Sequence, residues 1–137
     1  HGGVREVGLG AALRELLGRF TQRSGIAVDL DVDAAAGAMS DERAETLYRI
    51  AEEALRNVER HAAAERVTVE LRESGEPVAP RRLLRIVDDG AGFDPAAPVP
   101  GHYGLRGMRE QAVLIEAALR VHSAPGAGTR IELEFAA

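Results

Sequence analysis

Leu83-Leu84-Arg85-Ile86-Val87-Asp88-Asp89-Gly90-Ala91-Gly92-Phe93 is a short apolar run that ends in two acids and a glycine-rich loop. The run reads as a strand, and along it Leu84, Ile86 and Asp88 share one face, so the pattern carries the Asp88 carboxylate in among core side chains at the mouth of a sheet. A buried carboxylate is costly unless something donates to it. A ligand amine and a backbone amide are both suitable donors, and the strand alone does not choose between them. Gly90 and Gly92 leave the following loop too small to fill its own space and let backbone approach a flat ligand closely. Asp89 points the other way and reads as a turn or surface acid, and Phe93 as a core or loop anchor.

Two more strands share this one-sidedness. Ile26, Val28, Leu30 and Val32 alternate with Ala27, Asp29, Asp31 and Asp33, and Val67, Val69 and Leu71 alternate with Thr68, Glu70 and Arg72. A parallel sheet between two helical layers would be apolar on both faces. The expected fold is therefore α+β: a two-layer sandwich with a mixed, mostly antiparallel sheet and helices on one face. Helices are expected over Leu9 to Gln22, Ser40 to about Ala63 and Leu105 to about Ala118, and further strands over Leu119 to Ser123 and Arg130 to Phe135. Ala34 to Met39 reads as a small-residue loop, Glu73 to Arg82, with its two prolines, as a polar connector, and Pro95 to Pro100 as a loop.

At 137 residues and 45% hydrophobic content, the chain is large enough for one well-filled core. Residues 1–8 read as an N-terminal extension or expression remnant, and 9–137 as a single domain. With no cysteine, a disulfide framework, a thiolate metal site and a cysteine nucleophile are excluded. The net charge of −5, with acids interspersed among the arginines, argues against a nucleic-acid partner. No apolar run approaches the roughly 18 to 20 residues that span a bilayer, so no direct membrane contact is expected of this chain, which should be soluble as given.

On the Ser40 to Ala63 helix, at about 100° per residue, Leu47, Ile50, Ala51, Ala54, Leu55 and Val58 fill one arc. Glu53, Asn57 and His61 follow its edge at i, i+4 and i+8. Such a stripe can line a pocket where helix meets sheet, and an amide oxygen suits Mg²⁺. Each residue also has a plainer reading: a solvated acid, a surface amide, a histidine near a helix end. Downstream, Gly101 and Gly104 precede the Leu105 helix, where free N–H groups and the helix dipole can meet an anion, with Arg106 and Arg109 close by. The alternative is a glycine-rich helix start with two solvated arginines. His102 and Tyr103 could touch ligand or only shape the loop, and Gly126-Ala127-Gly128-Thr129 reads first as a hairpin turn.

Together, Glu53 to Ala62 (E-A-L-x-N-x-x-x-H-A), Asp88 to Asp94 (D-D-G-x-G-F-D) and Gly104 to Glu110 (G-L-R-G-M-R-E) resemble the N box and first two glycine boxes of the GHKL ATP-binding fold. That fold is shared by sensor histidine kinases, gyrase, Hsp90 and MutL. Within it the motifs look like those of NarL-type histidine kinases, and Ala124 to Thr129 is similar to their final glycine box. The resemblance runs from about Leu9 to Phe135.

It implies a Bergerat-type sandwich that binds ATP and Mg²⁺. Asp88 would take the adenine amino group, Asn57 would hold Mg²⁺ against the phosphates, and Glu53 would act beside them as the catalytic acid, polarising water or the metal shell. His61 would contact phosphate. Gly90 and Gly92 would belong to the adenine-side glycine box, and Gly101, Gly104 and Leu105 would close over the phosphates. Phe93 to Gly101 would be a mobile ATP lid, and Thr129 would support Asp88 and the base through a hydroxyl or water. The implied partners are a dimerisation domain bearing the phosphoacceptor histidine and, downstream, a response regulator. The implied setting is the cytoplasmic part of a membrane-anchored sensor.

None of His1, His61, His102 and His122 stands in a phosphoacceptor motif, so the chain reads as the catalytic domain alone. A degenerate nucleotide-binding or regulatory module and an anti-sigma-type serine kinase are the alternative readings. Where relatives commonly have a Gly-Gly helix stop this chain has Glu116-Ala117-Ala118, Gln111 replaces a frequent arginine, and the Glu73 to Arg82 connector looks longer than usual.

Overall fold

A computed structural model describes residues 3–96 and 104–137. In chain order its elements are α1 (Val4–Val7), α2 (Leu9–Ser24), β1 (Ala27–Val32), α3 (Ala34–Gly37), α4 (Glu42–Asn57), β2 (Arg66–Glu76), β3 (Ala79–Asp88), α5 (Leu105–Leu114), β4 (Ala118–Ser123) and β5 (Thr129–Ala136). The strands form one sheet in the order β1-β2-β3-β5-β4. Only β1 and β2 run parallel; the other three pairings are antiparallel.

One apolar core lies between the helices and the inward face of the sheet. Leu9, Leu13, Leu17 and Phe20 of α2 and Leu47, Ile50 and Ala54 of α4 meet Val67, Val69, Leu71, Leu84, Ile86, Leu133 and Phe135 there. Val4 of α1 joins the same core. The opposite face carries a lattice of ion pairs instead of a second layer. Arg72 bridges Asp31 and Glu70, Arg85 bridges Glu70 and Glu132, and Arg120 bridges Glu132 and Glu134, at 2.6–3.4 Å. Opposite charges facing each other across neighbouring strands stabilise a sheet face that stays wet, which is how a one-sided sheet remains single-sided here.

Five expectations change. The segment 73–82 is strand, not connector: β2 and β3 pair from Val67–Asp88 out to Glu76–Ala79, turning at Pro77-Val78. This end of the hairpin projects from the core, with 73–79 exposed and 80–82 half-buried, so the alternation that marks a strand is lost. Residues 34–37 form a helical turn, with Ala36 fully buried. The helix expected to reach Ala63 is α-helical only to Asn57 and continues as a π-helical turn, Val58–Ala62, ending on Ala63 in the left-handed region at φ 50°. Its cap is Asp41, whose carboxylate accepts from Ala44 N–H at 3.1 Å, where the sequence places the start at Ser40.

The last helix stops at Leu114 rather than near Ala118. Glu116 takes the left-handed conformation at φ 55°, Ala117 N–H bonds Ala112 C=O at 2.9 Å and Glu116 N–H bonds Val113 C=O at 3.1 Å. This is the paired hydrogen-bond arrangement that glycine usually supplies. Glu116 therefore does the work of the missing glycine at a steric cost.

Among the described residues, no helix is long and apolar enough to cross a membrane.

Candidate functional site

Sheet register gathers the site. Asp88 of β3 pairs with Thr129 of β5, which pairs with Ser123 of β4, so the three stand in one transverse row at the end of the sheet. Asp88 continues the inward face of Leu84 and Ile86 and is 7% exposed. Burial pushes its carboxyl above the ordinary aspartate range; bonds from the Gly90 and Thr129 N–H groups favour the ionised form and pull the other way, and the charge of Asp89 adds to the rise. The Gly90 N–H donates to Oδ1 at 2.9 Å. Backbone amides are thus two partners of this carboxylate. With about four acceptor positions, it keeps room for a further donor from the cleft it lines.

Asp89 turns away, as its place in the strand suggests, and accepts from Glu65 and Arg66 N–H at 2.9 and 3.0 Å, tying the start of β2 to the end of β3. These bonds hold its carboxyl below the ordinary range.

The cleft is open to solvent at its mouth. Ala54, Asn57, Val58 and His61 form its helical wall, Ile86, Asp88, Thr129 and Ile131 its sheet floor, and Gly92, Phe93 and Leu105 its rim. Its middle is apolar and its polar groups are few and convergent, as expected for a small-molecule site. Asn57 is the last α-helical residue and His61 lies within the π-turn, yet both reach the same cavity. The π-turn is a wider coil that interrupts the 3.6-residue phase, and such turns frequently mark functional positions.

Glu53 sits apart from this group. It faces the adjoining polar cleft with Arg56, Gly104 and Gln111, and its Oε1 is 2.9 Å from Arg56 Nη1. Gly104 packs directly against it: at φ 63°, a Cβ there would lie 2.9 Å from Glu53 Cγ and Cδ. Gly104 is also the N-cap of α5 and, having no side chain, supplies no cap bond to the first N–H groups of the helix. Arg106 is exposed and bonds Glu110 at 3.3 Å, so it belongs to the solvated face. Gly101, His102, Tyr103 and the part of the expected lid beyond Ala96 lie outside the described residues.

Glycines lock the two loops at the sheet's rim together. A Cβ on Gly92 would collide with the Ala124 carbonyl oxygen, and one on Gly128 with the Asp88 carbonyl oxygen. Gly126 N–H bonds Ala91 C=O at 2.6 Å. The hairpin turn 124–128 is therefore a clamp on the Asp88 loop. Ser123 completes it, with its Oγ 2.9 Å from Phe93 N, from Gly128 O and from Thr129 Oγ1. Sequence pattern passes over Ser123 as the end of a strand, because only the β4–β5 register shows that it adjoins the site.

A one-sided mixed sheet, helices on its inner face and a cleft where both meet at the rim define a two-layer α/β sandwich of the ligand-binding kind. Residues 42–137 match the family described as histidine kinase-, DNA gyrase B-, and HSP90-like ATPase. The chain belongs to this family, and is accordingly an ATP-binding domain. It is 35% identical over 132 residues to the sensor protein VraS of Staphylococcus saprophyticus, covering 96% of this chain and 36% of that protein. To VraS of Staphylococcus aureus strain COL it is 42% identical over 88 residues, 64% of this chain and 24% of that protein. The chain thus spans well under half the length of these relatives.

Among solved structures, it is similar to the histidine kinase domain from the Erythrobacter litoralis EL346 blue-light activated histidine kinase, with a TM-score of 0.71 at 26% identity over 93% of this chain and 60% of that one. The Acinetobacter baumannii histidine kinase AdeS matches with a TM-score of 0.72 at 12% identity, over 94% of this chain and 64% of that one, a likeness of fold.

Proposed function

We propose that this chain is the ATP-binding catalytic domain of a two-component sensor histidine kinase. It binds Mg-ATP and presents the γ-phosphate to a histidine on a separate dimerisation domain, from which a response regulator receives it. The parent protein is a membrane-anchored sensor with this domain on the cytoplasmic side. The observation that carries the reading is the convergence on one cleft of Asp88 and Thr129 from the sheet with Asn57 and His61 from the helical wall.

In this reading the base lies between Ile86 and Ile131 on one side and the α4 wall on the other, its amine donating to Asp88. Asn57 and His61 face the phosphates, and the glycine-opened start of α5, at Gly104 and Leu105, offers its N–H groups and dipole to them. Mg²⁺ ordinarily relies on substrate phosphates and water with one or two protein oxygens, and the Asn57 amide in the helical wall of the cleft fits that requirement. Asn57 would supply one such oxygen, and the ion, when bound, supplies charge neutralisation between phosphate oxygens. Glu53, one turn before Asn57 and pressed against Gly104, orients water at the phosphate end; Arg56 keeps its carboxylate in place. Phosphoryl transfer asks little covalent chemistry of the protein, so positioning and electrostatics are its contribution.

The test is calorimetric ATP binding with and without Mg²⁺, followed by incubation with ATP and a separately produced acceptor-helix domain. Binding that weakens in Asn57→Ala and Asp88→Asn, together with acid-labile phosphate on the acceptor, is expected. Acid-stable phosphate on a protein partner, or binding indifferent to both substitutions, would overturn the reading.

A further inference from the structure

Ser123 Oγ makes three contacts of 2.9 Å, and their chemistry dictates where every proton lies. The Gly128 carbonyl can only accept, so the single Ser123 proton goes to it. The Phe93 N–H can only donate, so it uses one Ser123 lone pair. The remaining contact joins two hydroxyls, and because the Ser123 proton is already committed, Thr129 must be the donor there. Thr129 has one hydroxyl proton, which is thereby turned away from the cleft. What Thr129 Oγ1 offers to the cleft is lone pairs.

Asp88, its neighbour in the same row, is also an acceptor when ionised. The floor of the cleft therefore presents two adjacent acceptors, a charged one and a neutral one. An exocyclic amine, with two N–H groups, matches such a pair directly or through water. An oxo group would place an acceptor against acceptors, and a buried mismatch of that kind is penalised more than a merely missing bond.

We propose that Ser123 is a positioning residue for base recognition: by taking the Thr129 proton and pinning the Phe93 loop, it makes the cleft select a 6-amino purine over a 6-oxo purine. This rests on the nucleotide reading of the same cleft and deepens it. Removing the Ser123 hydroxyl frees the Thr129 proton to rotate into the cleft, where it can donate to an oxo group, and weakens the selection without touching Asp88.

The experiment compares affinities for ATP and inosine triphosphate in the wild-type chain, Ser123→Ala and Ser123→Thr. The two nucleotides differ at the 6-position of the base and at the adjoining N1, an acceptor in the 6-amino base and an N–H donor in the 6-oxo base. The N1 difference is common to all three chains, so a change in the ratio reads the 6-position. In Ser123→Ala, ATP binding should fall about tenfold, the worth of one hydrogen bond, while inosine triphosphate binding changes by less than about threefold, so that the ratio collapses. Ser123→Thr retains a hydroxyl and should restore the ratio. Equal loss for both nucleotides in Ser123→Ala, leaving the ratio as in wild type, would show a merely structural role and overturn the proposal, as would no change at all. If Ser123→Ala does not fold, Ser123→Cys, whose sulfur is only a weak acceptor for the Thr129 proton, is held to the same ratio. A wild-type chain that binds neither nucleotide would overturn the nucleotide reading itself, an outcome separate from unchanged selectivity in a wild type that binds ATP.

Discussion

Asp88→Asn replaces a carboxylate by an amide of the same shape, and the geometry around it predicts two opposite effects. Asp88 accepts the Gly90 N–H on Oδ1 at 2.9 Å and a second bond from the Thr129 N–H, and its remaining acceptor capacity faces the cleft it lines. An amide has one oxygen, so asparagine cannot serve both these backbone N–H groups and a base amine, and must set its own N–H₂ against one of them. The loss is that of one charge-assisted hydrogen bond, about 1.5–3 kcal/mol, equivalent to a roughly 10- to 150-fold weaker Kd for ATP.

Stability of the free domain moves the other way. The pKa of Asp88 is raised by burial, so the folded state holds that proton more tightly than the unfolded chain does. Ionised Asp88 therefore costs stability above its folded pKa, and the cost vanishes below the ordinary aspartate range. The neutral asparagine escapes it. Titration calorimetry should show the affinity loss while thermal unfolding at neutral pH shows a melting temperature equal to or above wild type. ATP affinity of the wild type should also fall as pH drops through the raised Asp88 pKa, because a protonated carboxyl loses an acceptor. An Asp88→Asn chain that binds ATP within about threefold of wild type, or loses affinity only because it unfolds, would refute the assignment.

Other perturbations read different parts of the molecule. Asn57→Ala should abolish most of the Mg²⁺-dependent gain in ATP affinity and leave Mg²⁺-free binding nearly intact, measured by paired titrations with and without chelator. Glu132 is 6% exposed and bonded by Arg85 and Arg120 at 2.7 and 3.2 Å. Burial opposes its charge, but those two guanidiniums prevail and its carboxyl stays below the ordinary range. Its stabilisation is therefore present at neutral pH and lost as pH falls through that lowered pKa. Glu132→Gln should cost about 1–2 kcal/mol at neutral pH, less than a fully buried pair because both arginines remain partly in water. The difference should close in acid; a urea midpoint difference independent of pH would count against this account. Glu116→Gly removes a Cβ from a left-handed position on the surface and should stabilise the domain by about 1 kcal/mol, seen as a higher melting temperature.

How much was legible in the sequence follows from where burial is one-sided. The strands 26–32, 67–71 and 83–87 each alternate because one face meets helices and the other meets water. The same alternation carried Asp88 to the inner face without any knowledge of its neighbours. The outer half of the β2–β3 hairpin was missed for the converse reason: with 73–79 exposed on both faces, Glu73 to Arg82 carry no periodic signal, and only pairing makes them strand. The π-turn after Asn57 was likewise invisible, since its residues fit an α-helical pattern equally well and the choice is made by what they pack against. Glu53, Asn57 and His61 form one stripe on an ideal helix; in the structure the latter two line the cleft and Glu53 turns to the neighbouring one, held by Arg56 and Gly104.

By itself, the order of residues determined the layers of this protein and which side of the sheet each side chain takes, because the partition of apolar and polar groups between core and water is a local property of a strand or helix. It also determined that backbone crowds the Asp88 loop, since only glycine tolerates such approach. Tertiary structure alone decided that Asp88, Thr129 and Ser123 share a row and that one serine hydroxyl orients another. Strand register joins residues far apart in the chain, and a hydrogen bond's direction depends on every partner its proton could have chosen.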